Sequence, residues 1–125
     1  MMKFLVLFFM VTTLLAGCSS ANAEPGFMPI DEAYELIASG ADVIILDVRS
    51  EEEFLTGHIE NAILLPVNEI TARAEDVLLN KDAVILVICR SGNRSQTAAL
   101  ELANLGFTNV YDIGGIMSWP GNITE

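Results

Sequence analysis

Residues 84–100 read VILVICRSGNRSQTAAL, and this stretch decides the fold class. An aliphatic run that ends in Cys89 is typical of a parallel strand covered on both faces. The six polar residues that follow include Gly92, and after them the sequence becomes helical. A buried strand, a tight loop and a helix in this order indicate one unit of a parallel α/β sheet.

The same alternation of strands and helices runs through the rest of the chain. Asp31 and Ser50 are candidate N-caps, and Ser50 is followed by three glutamates at the positive end of a helix dipole. The third helical segment is helical in its periodicity, with a break predicted near Ala74. The predicted strands cover residues 42–48, 62–66, 82–89 and 109–113. The predicted helical segments begin near residues 29, 50, 67 and 95. Residues 114–121 are predicted to form a loop or single turn.

Length and composition indicate one domain with an aliphatic α/β core. The chain has 125 residues, of which 52% are hydrophobic and only 7% aromatic. Its formal net charge of −11 argues against nucleic acid as a partner and against direct electrostatic binding to an anionic membrane. The acidity itself is explained by solubility.

The N-terminus has the pattern of an export signal. Residues 4–15 are an apolar stretch too short to span a membrane. The LAGC sequence that follows resembles a bacterial lipobox, which predicts a signal peptide over residues 1–17, a lipidated Cys18 and a flexible tether up to residue 26. We therefore expect an extracytoplasmic protein held on a bacterial membrane by its lipid. The alternative is cleavage after the ANA sequence at residues 21–23, which gives a soluble periplasmic or secreted protein.

Cys89 is then the only cysteine left to the domain. The chain has two cysteines, so lipidation or removal of Cys18 leaves Cys89 without an intramolecular disulfide partner. Taken alone, Cys89 is equally well explained as a small buried residue at a strand end or as a nucleophile.

The loop after Cys89 favours the nucleophile. Cys89 ends a strand, which is where open α/β sheets bind ligands, and the next helix directs its free N–H groups back at the sulfur. Gly92 permits a tight turn of the backbone. Of the six Lys and Arg residues, Lys3 lies in the signal, and two of the remaining five, Arg90 and Arg94, lie in this loop. Amides and cations together favour the thiolate.

Three chemistries fit a thiolate in a cradle of amides: phosphate-ester hydrolysis, sulfur transfer through a persulfide, and disulfide exchange. Exchange usually needs a Cys-x-x-Cys pair, which the sequence lacks. Thiol-based phosphatases use Cys-x5-Arg, whereas Cys89 and Arg94 are spaced Cys-x4-Arg. The tighter loop suits one sulfur atom better than a tetrahedral phosphate. A thiol phosphatase or arsenate reductase of related fold remains an alternative, as does a non-catalytic binding module.

Three segments in this order resemble the rhodanese-like family of single-domain sulfurtransferases. They are LDVRSEEEFLTGHIENAILLP (46–66), CRSGNRS (89–95) and LGFTNVYDIGGIMSWPG (105–121), within a domain placed at residues 27–125. The resemblance implies an α/β fold with a five-stranded parallel sheet flanked by helices on both faces. It implies that Cys89 takes sulfur from a small anionic donor such as thiosulfate and passes it to cyanide or a thiol. The residues implied in substrate binding are Arg90, Ser91, Gly92, Asn93 and Arg94.

The remaining matched residues are assigned structural roles. Asp47 and Arg49 are expected to support the loop and the sheet edge. His58 is expected to be a hydrogen-bonded structural histidine, and Trp119 to cap the core. Asn61 stands where the family often has glycine. Two methionines, Met28 and Met117, are expected to pack in the interior. No metal site or cofactor is predicted, and we expect a monomer.

Overall fold

The computed structural model describes residues 24–125. The predicted signal peptide (1–17), the lipidation site Cys18 and most of the predicted tether lie outside the described residues. In the part of the chain that is described, no helix is both long enough and apolar enough to cross a membrane.

Five parallel strands form one sheet, as predicted, in the order β1-β5-β4-β2-β3. The central β4 is the longest run of buried aliphatic residues, because it has neighbours on both edges and helices on both faces. The strands are β1 (Gly26–Phe27), β2 (Ile44–Asp47), β3 (Ile63–Leu64), β4 (Val84–Cys89) and β5 (Asn109–Gly115), and the α-helices are α1 (Ile30–Ala38), α2 (Glu51–Leu55), α3 (Ile70–Val77) and α4 (Asn93–Asn104).

Alternate residues of the central strands supply two separate cores. Val87 and Cys89 face the side covered by α3 and α4, where Leu102 and Phe107 complete the packing. The intervening residues of β4 face the other side, towards α1. Because successive side chains of a strand point to opposite faces, the position of Cys89 on the α3–α4 face follows from its place in β4.

Two of the predicted local features are wrong. Helix α1 begins at Ile30 directly after Pro29, and no side chain caps it, so Asp31 lies in the first turn and is not the N-cap. Asp31 still lies at the positive end of the helix dipole. The predicted break near Ala74 is also wrong, because Ala74 lies buried inside α3. The break comes earlier, where a 3₁₀ turn (Val67–Glu69) precedes the helix.

The edge strand β1 was not predicted from the sequence. Gly26 pairs with Tyr111 and Phe27 with Asp112, so the sheet begins at the last residue of the predicted tether. A strand of two residues is too short to show an alternating pattern. A Cβ atom on Gly26 would lie 2.8 Å from a ring carbon of Tyr111, so the absent side chain leaves room for this ring.

Candidate active site

Cys89 is the last residue of β4 and is almost completely buried, with 1% of its surface exposed. The Gly92 backbone N–H donates a hydrogen bond to the Cys89 sulfur over 3.0 Å. This contact closes a tight turn in which Gly92 has a φ of 111°, a conformation that favours glycine. One member of the predicted amide cradle, the Gly92 N–H, therefore contacts the sulfur.

Helix α4 begins inside the loop. It starts at Asn93, two residues before the predicted start at Ser95, and Gly92 is its N-cap residue. The first turn of the helix therefore belongs to the loop, and its N-terminus adjoins the Cys89 sulfur. The unpaired N–H groups of this turn give it a partial positive charge, which favours a bound anion or a thiolate.

The end of β5 holds the loop from the other side. It extends to Gly115, whereas the sequence prediction ended this strand at residue 113. A Cβ atom on Gly115 would overlap the carbonyl oxygen of Arg90 and lie 2.7 Å from Cα of Ser91. The strand and the loop can approach this closely only because residue 115 has no side chain.

The two loop arginines have different surroundings. Arg94 forms a two-pronged ion pair with Glu53, with N–O distances of 2.6 and 2.9 Å. These hydrogen bonds from Arg94 lower the pKa of Glu53 from 4.5 to about 2, and the same pair raises the pKa of Arg94. The Arg90 side chain is exposed and has no ion-pair partner within residues 24–125. Arg90 is therefore the loop arginine that is open to an anion, while Arg94 is already shared with Glu53.

Glu53 combines two functions that the sequence showed only in part. Its side chain accepts a hydrogen bond from the backbone N–H of Ser50, and Ser50 caps the Glu53 N–H in return. This capping box begins α2, and its Ser50 is the predicted N-cap. The same carboxylate also pairs with Arg94, so an ion pair joins α2 to α4 near the carboxyl ends of the strands, where Cys89 lies.

A second ion pair, between Arg49 and Asp47, is buried at the end of β2. Arg49 donates to both carboxylate oxygens of Asp47, at distances between 2.7 and 3.0 Å. Arg49 also donates to the carbonyl oxygen of Gly57, just after α2. The pair fixes the end of β2 to the segment after α2, in agreement with its predicted support of the sheet edge, while its support of the Cys89 loop stays a prediction.

Sequence reasoning missed the group that lies behind Cys89. The Cys89 sulfur is 3.4 Å from the Ser95 hydroxyl, and Ser95 donates to a carboxylate oxygen of Asp112 over 2.7 Å. Asp112 also accepts the Gly114 N–H over 2.9 Å. Ser95 belongs to the quoted loop motif, but nothing in the sequence pairs it with Asp112, which comes 17 residues later.

The family profile of the rhodanese-like domain matches residues 29–122, which include every element of this site. The chain belongs to the rhodanese-like family. It is 38% identical over 102 residues to thiosulfate sulfurtransferase GlpE of Pseudomonas entomophila, and the match covers 76% of this chain and 88% of that one. Sulfurtransferases are therefore among its relatives.

Solved rhodanese-like structures share the fold. The crystal structure of a rhodanese-related protein from Thermoplasma volcanium is 32% identical and superposes with a TM-score of 0.69, covering 79% of this chain and 97% of that one. Other relatives are much longer. This chain matches 80 residues of the adenylyltransferase and sulfurtransferase uba4 of Ogataea parapolymorpha at 36% identity; these are 63% of this chain but only 20% of that protein. It spans less than half the length of several curated relatives.

The other residues of the rhodanese-like motifs are mostly structural, as predicted. The His58 ring hydrogen-bonds to the carbonyl oxygen of Phe54 over 3.0 Å and stacks on the Phe54 ring. Asn61 has a φ of 68°, a left-handed conformation that asparagine tolerates, so the turn is kept without glycine. Trp119 packs against the core on the α1 side, which confirms its predicted place.

The two methionines differ. Met28 is partly buried and packs against the same core as predicted. Met117 is 72% exposed, so the predicted packing of its side chain is wrong. It lies in the 3₁₀ turn after β5, and its backbone N–H points towards the Arg90 carbonyl oxygen over 3.4 Å. The backbone at residue 117 approaches the loop while the side chain extends into solvent.

Proposed function

We propose that this rhodanese-like protein is a sulfurtransferase that carries sulfur as a persulfide on Cys89. The observation on which the proposal depends is the position of the Cys89 sulfur, 3.0 Å from the Gly92 N–H and beside the N-terminus of α4. This arrangement stabilises negative charge on the sulfur before transfer and on the outer sulfur of a persulfide after it. The relationship to thiosulfate sulfurtransferases supports the same chemistry.

The first half-reaction would use a small anionic donor such as thiosulfate. The Cys89 thiolate attacks the outer sulfur of the donor, a new S–S bond forms at Cys89, and the S–S bond of thiosulfate breaks. Its electron pair leaves with sulfite. Arg90, exposed and unpaired within residues 24–125, is placed to attract the donor, and Arg94 is a second contact if it is released from Glu53.

The second half-reaction would return Cys89 to its starting state. Cyanide or a thiolate attacks the outer sulfur of the persulfide, a bond forms between acceptor and sulfur, and the S–S bond at Cys89 breaks. The electron pair returns to Cys89 as a thiolate, which the Gly92 N–H and the first turn of α4 stabilise as a leaving group. Ser91 and Asn93 are exposed residues of the loop after Cys89 and are candidate contacts for the acceptor.

Intact mass spectrometry tests this proposal. Wild-type protein treated with thiosulfate should gain one sulfur atom and lose it when cyanide is added, with release of thiocyanate. Cys89→Ser should gain nothing while keeping the wild-type melting temperature, since serine is close in size to cysteine. A Cys89→Ser variant with full transfer activity would overturn the proposal.

The same protein preparation tests the phosphatase alternative. If wild-type protein gains no sulfur but hydrolyses an aryl phosphate in a Cys89-dependent manner, the site is a thiol phosphatase. If it does neither, although Cys89 is alkylated by iodoacetamide, the domain is a binding module with a reactive thiol.

For localisation, we propose that Cys18 carries a lipid that holds the domain outside the cytoplasm. The proposal depends on the LAGC sequence after the apolar stretch at residues 4–15. When the full chain is expressed in bacteria and the extract is separated into detergent and aqueous phases, the wild-type protein should enter the detergent phase. The Cys18→Ala variant should shift to the aqueous phase. A variant distributed like the wild-type protein would contradict lipidation.

A further inference from the structure

The Ser95 hydroxyl has more acceptors around it than hydrogens to give. Its oxygen lies 2.7 Å from a carboxylate oxygen of Asp112, 2.9 Å from the Gly92 carbonyl oxygen and 3.4 Å from the Gly114 carbonyl oxygen. The fourth neighbour, at 3.4 Å, is the Cys89 sulfur. Ser95 is fully buried, so no solvent competes for the hydrogen. A hydroxyl has one hydrogen and two lone pairs, so only one of these acceptors receives a full hydrogen bond.

Asp112 is the acceptor that receives it. The contact is the shortest of the four, and a hydrogen bond to an ionised carboxylate is about twice as strong as one between neutral groups. The Gly114 N–H, 2.9 Å from the same carboxylate oxygen, holds Asp112 in this orientation. The hydrogen of Ser95 therefore points away from Cys89, and a lone pair of its oxygen is left for the sulfur.

This orientation favours the thiol form of Cys89 over the thiolate. A thiol can donate its hydrogen to the Ser95 oxygen, whereas a thiolate would face a lone pair there. If Ser95 turned its hydrogen to the thiolate, Asp112 would lose its strongest partner. The negative charge of Asp112 behind Ser95 acts in the same direction, because like charges disfavour each other in a buried site.

Other groups around Cys89 act in the opposite direction. The Gly92 N–H and the N-terminus of α4 favour the thiolate, and Arg94 interacts electrostatically with Cys89. Arg90 adds a positive charge within the loop. The negative charges of Glu53 on α2 and Asp47 at the end of β2 are each paired with an arginine. Asp112 is thus the one carboxylate near Cys89 whose hydrogen bonds within residues 24–125 come from neutral donors.

We propose that Asp112, acting through Ser95, is a positioning residue that keeps Cys89 protonated and thereby limits its reactivity. Asp112 lines a groove of about 620 Å³ between α4 and β1. The protein therefore carries both an activating and a restraining device around one thiol. The proposal depends on the hydrogen bonds of Ser95 and holds whether or not Cys89 transfers sulfur.

The test is the pH dependence of Cys89 alkylation by iodoacetamide, followed by mass spectrometry. Asp112→Asn keeps the shape of the side chain and an oxygen for the Gly114 N–H but removes the charge. We expect this variant to react about tenfold faster than wild type at neutral pH, with its pH–rate curve moved to lower pH by about one unit. Asp82→Asn is the matched control, since Asp82 is an exposed residue just before the opposite end of β4 and bonds to Thr108. It should react like wild type.

A double-mutant cycle tests the mediation by Ser95. In a Ser95→Ala background, Asp112→Asn should change the alkylation rate by less than about threefold, because the hydrogen bonds that connect Asp112 to the sulfur are gone and only the weaker through-space effect of its charge remains. An equal effect in both backgrounds would show that Ser95 is not the mediator. If Asp112→Asn reacts at the wild-type rate, or more slowly, with an unchanged melting temperature, the restraining role is wrong. Because iodoacetamide needs no sulfur donor, a protein that fails to transfer sulfur can still pass this test.

Discussion

Two carboxylate–guanidinium pairs lie near Cys89, and they differ in burial. The Asp47–Arg49 side chains are 0% and 6% exposed, and Arg49 also holds the Gly57 carbonyl oxygen. The Glu53–Arg94 side chains are 28% and 36% exposed and join two helices at the rim. A buried pair cannot exchange partners without leaving a charge unsolvated, whereas a pair at the rim can. The two pairs have the same chemistry, and burial makes only the Glu53–Arg94 pair able to exchange partners without leaving a charge unsolvated.

The largest expected effect comes from removing one partner of the buried pair. Arg49→Leu leaves the Asp47 carboxylate buried without its partner and should lower the free energy of unfolding by about 3–5 kcal/mol. Urea denaturation followed by circular dichroism measures this change. As a control, the double variant Asp47→Leu with Arg49→Leu should be more stable than Arg49→Leu alone, because no unpaired charge is left. A loss below about 1 kcal/mol in the single variant would mean that burial does not distinguish the two pairs.

The next effect concerns donor binding at the rim and depends on the proposed sulfur transfer. Arg94→Gln should raise KM for thiosulfate by about tenfold, which corresponds to one charge-assisted hydrogen bond. Glu53→Gln releases Arg94 and should lower the same KM. Steady-state kinetics with thiosulfate and cyanide give both values. If both variants raised KM, donor binding would depend on the intact Glu53–Arg94 pair and not on a released Arg94.

The smallest effect is the contribution of the rim pair to stability. Glu53→Gln should cost less than about 1 kcal/mol at neutral pH, because the pair is partly exposed. The pKa of Glu53 is about 2 in the folded protein, below its ordinary value of 4.5. A lowered pKa means that the stabilisation is complete above pH 4.5 and is lost as the pH falls towards 2. Wild type and Glu53→Gln should therefore converge in urea midpoint over this interval. A difference that stayed constant from pH 6 to pH 2 would contradict the ion pair.

Local sequence patterns predicted what depends on neighbouring residues. Ser50 is the N-cap of α2 as predicted, because a capping residue and the N–H group that it caps lie within one helical turn. Cys89 lies at the end of a buried strand, as predicted. The aliphatic residues of β4 are shielded from water on both faces only in the middle of the sheet. Two predictions from weaker local patterns were wrong. Asp31 is not the N-cap of α1, which begins after Pro29, and α3 continues through Ala74 without a break.

Sequence patterns alone predicted four of the five strands and the four α-helices in their order along the chain, the loop after Cys89 and the resemblance to the rhodanese-like family. Tertiary structure decided the partners of that loop. Arg94 meets Glu53 across 41 residues, and Ser95 meets Asp112 across 17. Hydrophobic periodicity and capping are encoded within a few residues, whereas these contacts exist only because a parallel sheet brings the ends of separate strands and helices to one edge.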